Sequence, residues 1–201
     1  MKRFLIALLL TISFCSCTSP DVVEPTPPQD HHGYSPVSDG SSWEYKLIID
    51  GDTTALSRKI DGDTLLNGKR YSKYMQITET KTSVRRLYRR SNDTLYSLWG
   101  KSGQPITFVE WPHLIEKLGV AWATPNSEGE PSQTDTLRVV AKGISRTVQG
   151  KTYNDVLHME VSSTTSGSIR IKETSYYAKG IGLIENNVSG ESMVLVDYSI
   201  K

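Results

Sequence analysis

The chain has 201 residues, with 23 lysines and arginines against 22 acidic residues and only two cysteines, both within the first seventeen positions. A near-neutral balance without a clustered basic face argues against nucleic acid as a partner. With no cysteine beyond Cys17, whatever folds downstream of it lacks disulfides, cysteine zinc sites and thiol catalysis.

Lys2 and Arg3 form a basic start, Phe4 to Ile12 an apolar run, and Phe14-Cys15-Ser16-Cys17 a small-residue ending. This reads as a secretory signal peptide over residues 1–16, too short to span a bilayer as a mature helix. Its ending resembles a bacterial lipobox, in which the last cysteine is acylated and becomes the first mature residue. Cys17 fits that role better than Cys15, because Ser16 is small and Phe14 is not. The expected partner is therefore a membrane, reached through lipid (palmitate among the acyl chains) on Cys17. The mature net charge is near −1, since Lys2 and Arg3 leave with the signal. Thr18 follows the cysteine where an inner-membrane retention signal would place aspartate, which suits sorting to the outer membrane.

Residues 17–40 carry Pro20, Pro25, Pro27, Pro28 and Pro36 among Asp, Glu, Thr and Ser, without apolar periodicity. That composition predicts a disordered or polyproline-like tether. Asp30-His31-His32 within it has no fixed geometry with which to hold a metal.

The rest, residues 41–201, reads as one domain of roughly 160 residues. Trp43, Tyr45, Leu47 and Ile49 alternate with Glu44, Lys46, Ile48 and Asp50, as a half-buried strand does. Asp50-Gly51-Asp52, Asp61-Gly62-Asp63 and Asn67-Gly68 are turn signals separating further strands. Arg85-Arg86 and Arg89-Arg90 split between two strand faces and read as solvated edge charge. Residues 112–118 predict one short helical segment, with Leu114, Ile115 and Leu118 on one side and Gly119 as its stop. Trp122 to Gln133 reads as a loop. Strands resume at Asp135 and continue to Ile200. About ten short strands without a long helix predict an all-β, antiparallel domain.

Several segments taken together resemble a loosely defined family of bacterial envelope proteins called TapB-like. They are Gly40-Ser41-Ser42-Trp43-Glu44-Tyr45, Leu118-Gly119-Val120-Ala121-Trp122, Gln149 to Leu157, and Tyr176-Tyr177-Ala178-Lys179-Gly180-Ile181-Gly182-Leu183-Ile184. The resemblance implies a curved antiparallel sheet, a half-barrel or open barrel similar to the Lol lipoprotein carriers. It carries no catalytic residue over. In the closing motif Gly180 and Gly182 allow a sharp re-entry into the sheet.

Chemistry is sparse. Gly150-Lys151-Thr152 mimics the end of a phosphate loop, but the glycine spacing is wrong and a hairpin turn fits better. His158 and Glu160 share a strand face, yet a metal site needs a third ligand that the spacing does not supply. No serine sits in a nucleophile elbow. No metal, cofactor or catalytic residue is therefore expected. The aromatic residues lead instead: Trp43, Trp99, Trp111 and Trp122 either pack a core or line a groove. The reading that follows is a non-enzymatic lipoprotein of the cell envelope, outer membrane, that binds an apolar ligand or an envelope protein. A glycan- or peptide-binding accessory module needs coplanar exposed tryptophans. A hydrolase needs His113 or His158 to converge with Glu160.

Overall fold

The computed structural model describes residues 33–79, 81–101, 107–125, 134–165 and 168–201. The predicted signal peptide, Cys17 and the His31-His32 pair lie outside them. The strands are β1 (Ser42–Ile49), β2 (Asp52–Leu66), β3 (Lys69–Ile77), β4 (Thr82–Ser91), β5 (Thr94–Lys101) and β6 (Thr107–Ile115). They continue as β7 (Ala121–Pro125), β8 (Thr134–Val148), β9 (Lys151–Thr165), β10 (Ser168–Ala178), β11 (Gly182–Val188) and β12 (Glu191–Ser199).

All twelve belong to one antiparallel sheet in the order β6-β5-β4-β3-β2-β1-β12-β11-β10-β9-β8-β7. Each strand pairs with its chain neighbour, except that β1 pairs with β12 and the consecutive strands β6 and β7 form the two edges. The sheet curls until those edges nearly meet, giving the open barrel the sequence predicts. Alternation sets the inner face: Trp43 and Tyr45 are buried in β1 while Glu44 and Lys46 between and beyond them are exposed.

Three expectations are corrected. The predicted helix at 112–118 is absent: β6 runs through Ile115, and a turn follows at 118–119. Leu114 is 0% exposed and Leu118 is 62% exposed, so the apolar stripe a helix would need does not exist. Pro112 is tolerated because β6 is an edge strand, where a missing N–H breaks no ladder. The predicted loop from Trp122 begins as strand β7. The tether also ends earlier than residue 40. Tyr34 and Val37 are buried in the core, the Val37 carbonyl accepts from Ser72 Oγ at 3.0 Å, and the Gly33 carbonyl accepts from Gly180 N–H at 2.8 Å.

The two halves repeat one another. β2–β3 and β8–β9 are long hairpins whose tips carry Asn67-Gly68-Lys69-Arg70-Tyr71 and Gln149-Gly150-Lys151-Thr152-Tyr153. Asn67 and Gln149 both adopt positive φ (51° and 50°), each followed by glycine in the same region, as a type I′ turn requires. Both hairpins shift register midway along their ladders, at Ile60/Asp63 in the first and between Val139 and Arg146 in the second. Each arm is held by a partly buried carboxylate of its own. Lys69 and Tyr71 reach Glu110 at 2.8 and 3.0 Å, joined by Arg89 at 2.7 Å. In the second arm Arg146 makes a bidentate pair with Glu185 at 2.8 Å and 2.8 Å and lies 4.2 Å from the Tyr176 ring.

Candidate functional site

Inside the barrel, β2, β3, β4 and β6 contribute a group of polar and aromatic side chains. Tyr74 packs edge-on against Tyr88 with ring centroids 5.1 Å apart, and against Trp43 at 6.2 Å. Tyr88 in turn contacts the His113 ring at 5.2 Å. Arg86 Nη1 donates to His113 Nδ1 at 3.1 Å. A guanidinium has no acceptor, so Nδ1 is the bare nitrogen and Nε2 carries the proton that faces the Tyr88 hydroxyl at 3.3 Å. Burial, then the charges of Arg86 and Arg58, pull the His113 pKa down to about 3, so the ring is neutral.

Arg58 enters the same space from β2. Its Cζ lies 5.1 Å from the Tyr45 ring centre and 5.8 Å from that of Tyr74, and Nη1 donates to the Tyr74 hydroxyl at 3.3 Å. Burial pushes the Tyr45, Tyr74 and Tyr177 hydroxyls above their ordinary range, so all three stay protonated. On the opposite side, Glu173, Ser175 and Tyr177 share one face of β10. The Asn186 amide donates to Glu173 Oε1 and, at 2.8 Å, to Ser175 Oγ.

These side chains come from strands that face one another across the inside of the curled sheet. Desolvation is the largest influence on Arg58, Tyr74 and His113, which places them deep in protein. Yet each keeps part of its surface open to water, as do Arg86, Glu173 and Asn186. Depth combined with residual exposure is what side chains around an interior chamber show.

A second concavity, of about 420 Å³, lies at the barrel end where the N-terminal segment enters, among Gly33, Tyr34, Arg90, Glu116, Lys142 and Lys179. Its polar groups are already engaged. Arg90 pairs with Glu116 at 2.8 Å and donates to the Ser35 carbonyl at 2.7 Å, while Glu116 Oε1 also accepts from Tyr34 N–H at 2.9 Å. Lys142 donates to the Glu116 carbonyl at 2.8 Å, and Lys179 pairs with Asp155 at 3.3 Å. This is a clamp on the start of the domain. The reading of the arginine run as solvated charge is thus corrected: Arg90 is 7% exposed, and Arg86 faces the chamber with His113.

The sequence-predicted tryptophans are placed as follows. Trp43 is buried, donates from Nε1 to the Ile181 carbonyl at 2.6 Å, and packs against Gly182, where any Cβ would come within 3.3 Å of Nε1. Trp122 is buried at the seam. Trp111 is half-buried in β6. Trp99 lies in β5, its side chain outside the described residues. Burial of Trp43 and Trp122 removes two of the exposed rings that a glycan platform would use. The aromatic lining comes instead from Tyr45, Tyr74, Tyr88 and Tyr177. His158 stacks on Tyr176 at 4.5 Å and lies 4.0 Å from Glu160, a cluster separate from His113 and its partners. Among the described residues no three of His, Cys, Asp and Glu converge as metal ligands.

The chamber residues left a signal in the sequence that tryptophan counting missed. Arg58 stands between Leu56 and Ile60, both buried, in the inward phase of its strand. Arg86, Tyr88 and Arg90 share a second inward phase in β4.

No family model matches the chain, and no curated protein matches it in sequence. Two crystal structures are similar to it in shape. One, described as a candidate lipoprotein of Parabacteroides distasonis ATCC 8503, is 11% identical with a TM-score of 0.47, covering 83% of this chain and 98% of its own. The other, a candidate exported protein with a YmcC-like fold from Bacteroides fragilis NCTC 9343, is 10% identical with a TM-score of 0.45, covering 83% of this chain and 99% of its own. A TapB-like protein is not among these matches.

Proposed function

We propose that this protein is a non-enzymatic binding protein of the bacterial cell envelope, held to the outer membrane by lipid on Cys17, with the barrel chamber as its ligand site. The observation that carries the binding reading is the set of deep yet water-accessible side chains around Tyr74 and His113. Polar groups in a protein interior are normally closed off by their partners, and a space left among them can admit a small molecule. Export and lipidation are supported by the basic start, the apolar run and the Ser16-Cys17 ending. The His113 nitrogens are occupied by Arg86 and Tyr88, which leaves that ring no free base to offer a substrate.

Membrane fractionation tests the anchor. Cys17→Ala should leave the membrane fraction or accumulate unprocessed, while Cys15→Ala stays in the membrane; the reverse pattern would show the wrong cysteine was chosen. Native mass spectrometry of the chain from residue 18 onward, purified without detergent, tests the chamber. A bound mass that organic solvent removes supports a ligand-binding role. A clean mass that no apolar or anionic probe changes would retire it in favour of a surface partner.

A further inference from the structure

Arg58 occupies a place where its strand calls for an apolar side chain, since its inward neighbours Leu56 and Ile60 are 6% and 1% exposed. Its Nε is buried without a hydrogen-bond partner. Among the described residues no carboxylate lies within ion-pairing distance of it. Other inward or packed arginines are treated differently: Arg89 pairs with Glu110 at 2.7 Å, Arg90 with Glu116 at 2.8 Å and Arg146 with Glu185 at 2.8 Å. A guanidinium removed from water without a counter-charge is costly. The faces of Tyr45 and Tyr74 offset part of that cost through their negative quadrupoles, and the rest is left standing.

His113, neutral beside Arg86, supplies no counter-charge to Arg58. The Glu173 carboxylate, on β10, accepts from Asn186 and Ser175 and makes no ion pair with Arg58. The Tyr74 hydroxyl accepts from Arg58, so its own proton remains to be donated to a third group. The Tyr45 hydroxyl donates to the Leu183 carbonyl at 3.0 Å and is not available.

We infer that the chamber is an anion site: its ligand carries a carboxylate or phosphate group that meets the Arg58 guanidinium, with the Tyr74 hydroxyl as a second donor and the tyrosine rings against the ligand's apolar body. This deepens the proposed function and rests on the chamber being the binding site. Arginine suits the role because its fork of N–H donors matches the two oxygens of such a group.

The test uses the chain from residue 18 onward, which keeps every described residue, as wild type and as Arg58→Met. Four conditions are compared by thermal unfolding and by titration of tryptophan fluorescence: buffer, inorganic phosphate, laurate and dodecanol. Laurate should stabilise the wild type and bind more tightly than dodecanol, and Arg58→Met should weaken laurate binding by about tenfold or more, as removal of one partner of a buried charge pair does. Stabilisation by inorganic phosphate as well would identify the anionic group alone as sufficient. Arg58→Met should also unfold at a higher temperature than wild type in buffer alone, because it removes an uncompensated charge. The inference is overturned if Arg58→Met lowers the unfolding temperature and no anion stabilises the wild type, which would make Arg58 a structural cation held by its tyrosines. Equal binding of laurate and dodecanol, unaffected by Arg58→Met, would overturn the anion site while leaving a ligand-binding chamber intact. Failure of every probe, together with a clean native mass, would remove both.

Discussion

The indole Nε1 of Trp122, in β7, donates to the carbonyl oxygen of Pro112, in β6, at 3.0 Å. It joins the two edges of the sheet at the place where backbone pairing stops. Trp122→Phe keeps an aromatic ring but removes the N–H and part of the indole's buried volume, so it should cost about 1 kcal/mol for the bond and more for the space left behind. Urea unfolding measures the loss, and amide exchange should quicken first in β6 and β7. Unchanged exchange in both strands would mean that the seam is held by something else.

At the N-terminal clamp, Arg90 and Glu116 have side chains 1% and 9% exposed. Glu116→Gln leaves the guanidinium buried without its counter-ion and should destabilise by about 3–5 kcal/mol. Replacing both residues with methionine should recover much of that, because no charge is then stranded. Gly33→Ala should damage the same spot by a different route. Its Cβ would come within 2.6 Å of Arg90 Nη1 and 2.7 Å of Glu116 Oε1. Protease cleavage within residues 33–37, followed by mass spectrometry, reports whether the clamp has opened.

His113 should make stability fall on mild acidification. Its folded pKa is held down to about 3 by burial first and by Arg86 and Arg58 second, against 6.5 when unfolded. Below 6.5 the unfolded chain therefore binds a proton that the folded chain refuses. The stability contributed by the neutral ring is whole above pH 6.5 and is lost as pH falls towards 3, on the order of 4 kcal/mol in all. Urea midpoints measured across that window should slope for wild type and flatten for His113→Gln.

Glu110 should govern a lower window. Burial raises its pKa, but hydrogen bonds from Arg89, Lys69 and Tyr71 outweigh that and bring it down from 4.5 to about 2. A carboxylate with a depressed folded pKa stabilises above its unfolded value and loses that contribution as pH drops through the folded one. The loss between pH 4.5 and 2 is on the order of 2 kcal/mol, given a side chain 18% exposed. Glu110→Gln should remove this acid step and loosen the first hairpin arm, which hydrogen exchange at residues 61–72 would register.

Much of the barrel was legible in advance because alternation and turn chemistry are local. Trp43 and Tyr45 announced an inner face, and Asn67-Gly68 announced a two-residue turn, with no help from distant residues. The segment at 112–118 misled because Leu114, Ile115 and Leu118 have helical spacing. Edge pairing with β5 overrode that weak preference, and Pro112 fits an edge strand as well as a helix start. The chamber was harder. Arginine and tyrosine are ordinarily surface and core types, and only the phase of Leu56-Ser57-Arg58-Lys59-Ile60, inward at Arg58, exposes the difference. The matching Gly-Lys-x-Tyr tips were visible as letters, but their equivalence appears only once both hairpins lie on the outside of the same curved sheet.

The pairing of β1 with β12 has a consequence for how the molecule is made. A chain synthesised from its N-terminus presents the β1 edge long before residues 191–199 arrive to cover it, and exposed edges invite pairing with other chains. The waiting time is a matter of connectivity alone. Lys201 N–H already reaches Ser41 Oγ at 3.2 Å, so a linker from Lys201 back to Gly33 would keep the N-terminal clamp and let the chain be reopened at the turn between β6 and β7. The twelve strands would then follow one another as an uninterrupted meander. Such a permuted chain, with the same walls and the same chamber, should fold faster and aggregate less than the natural order of the strands permits.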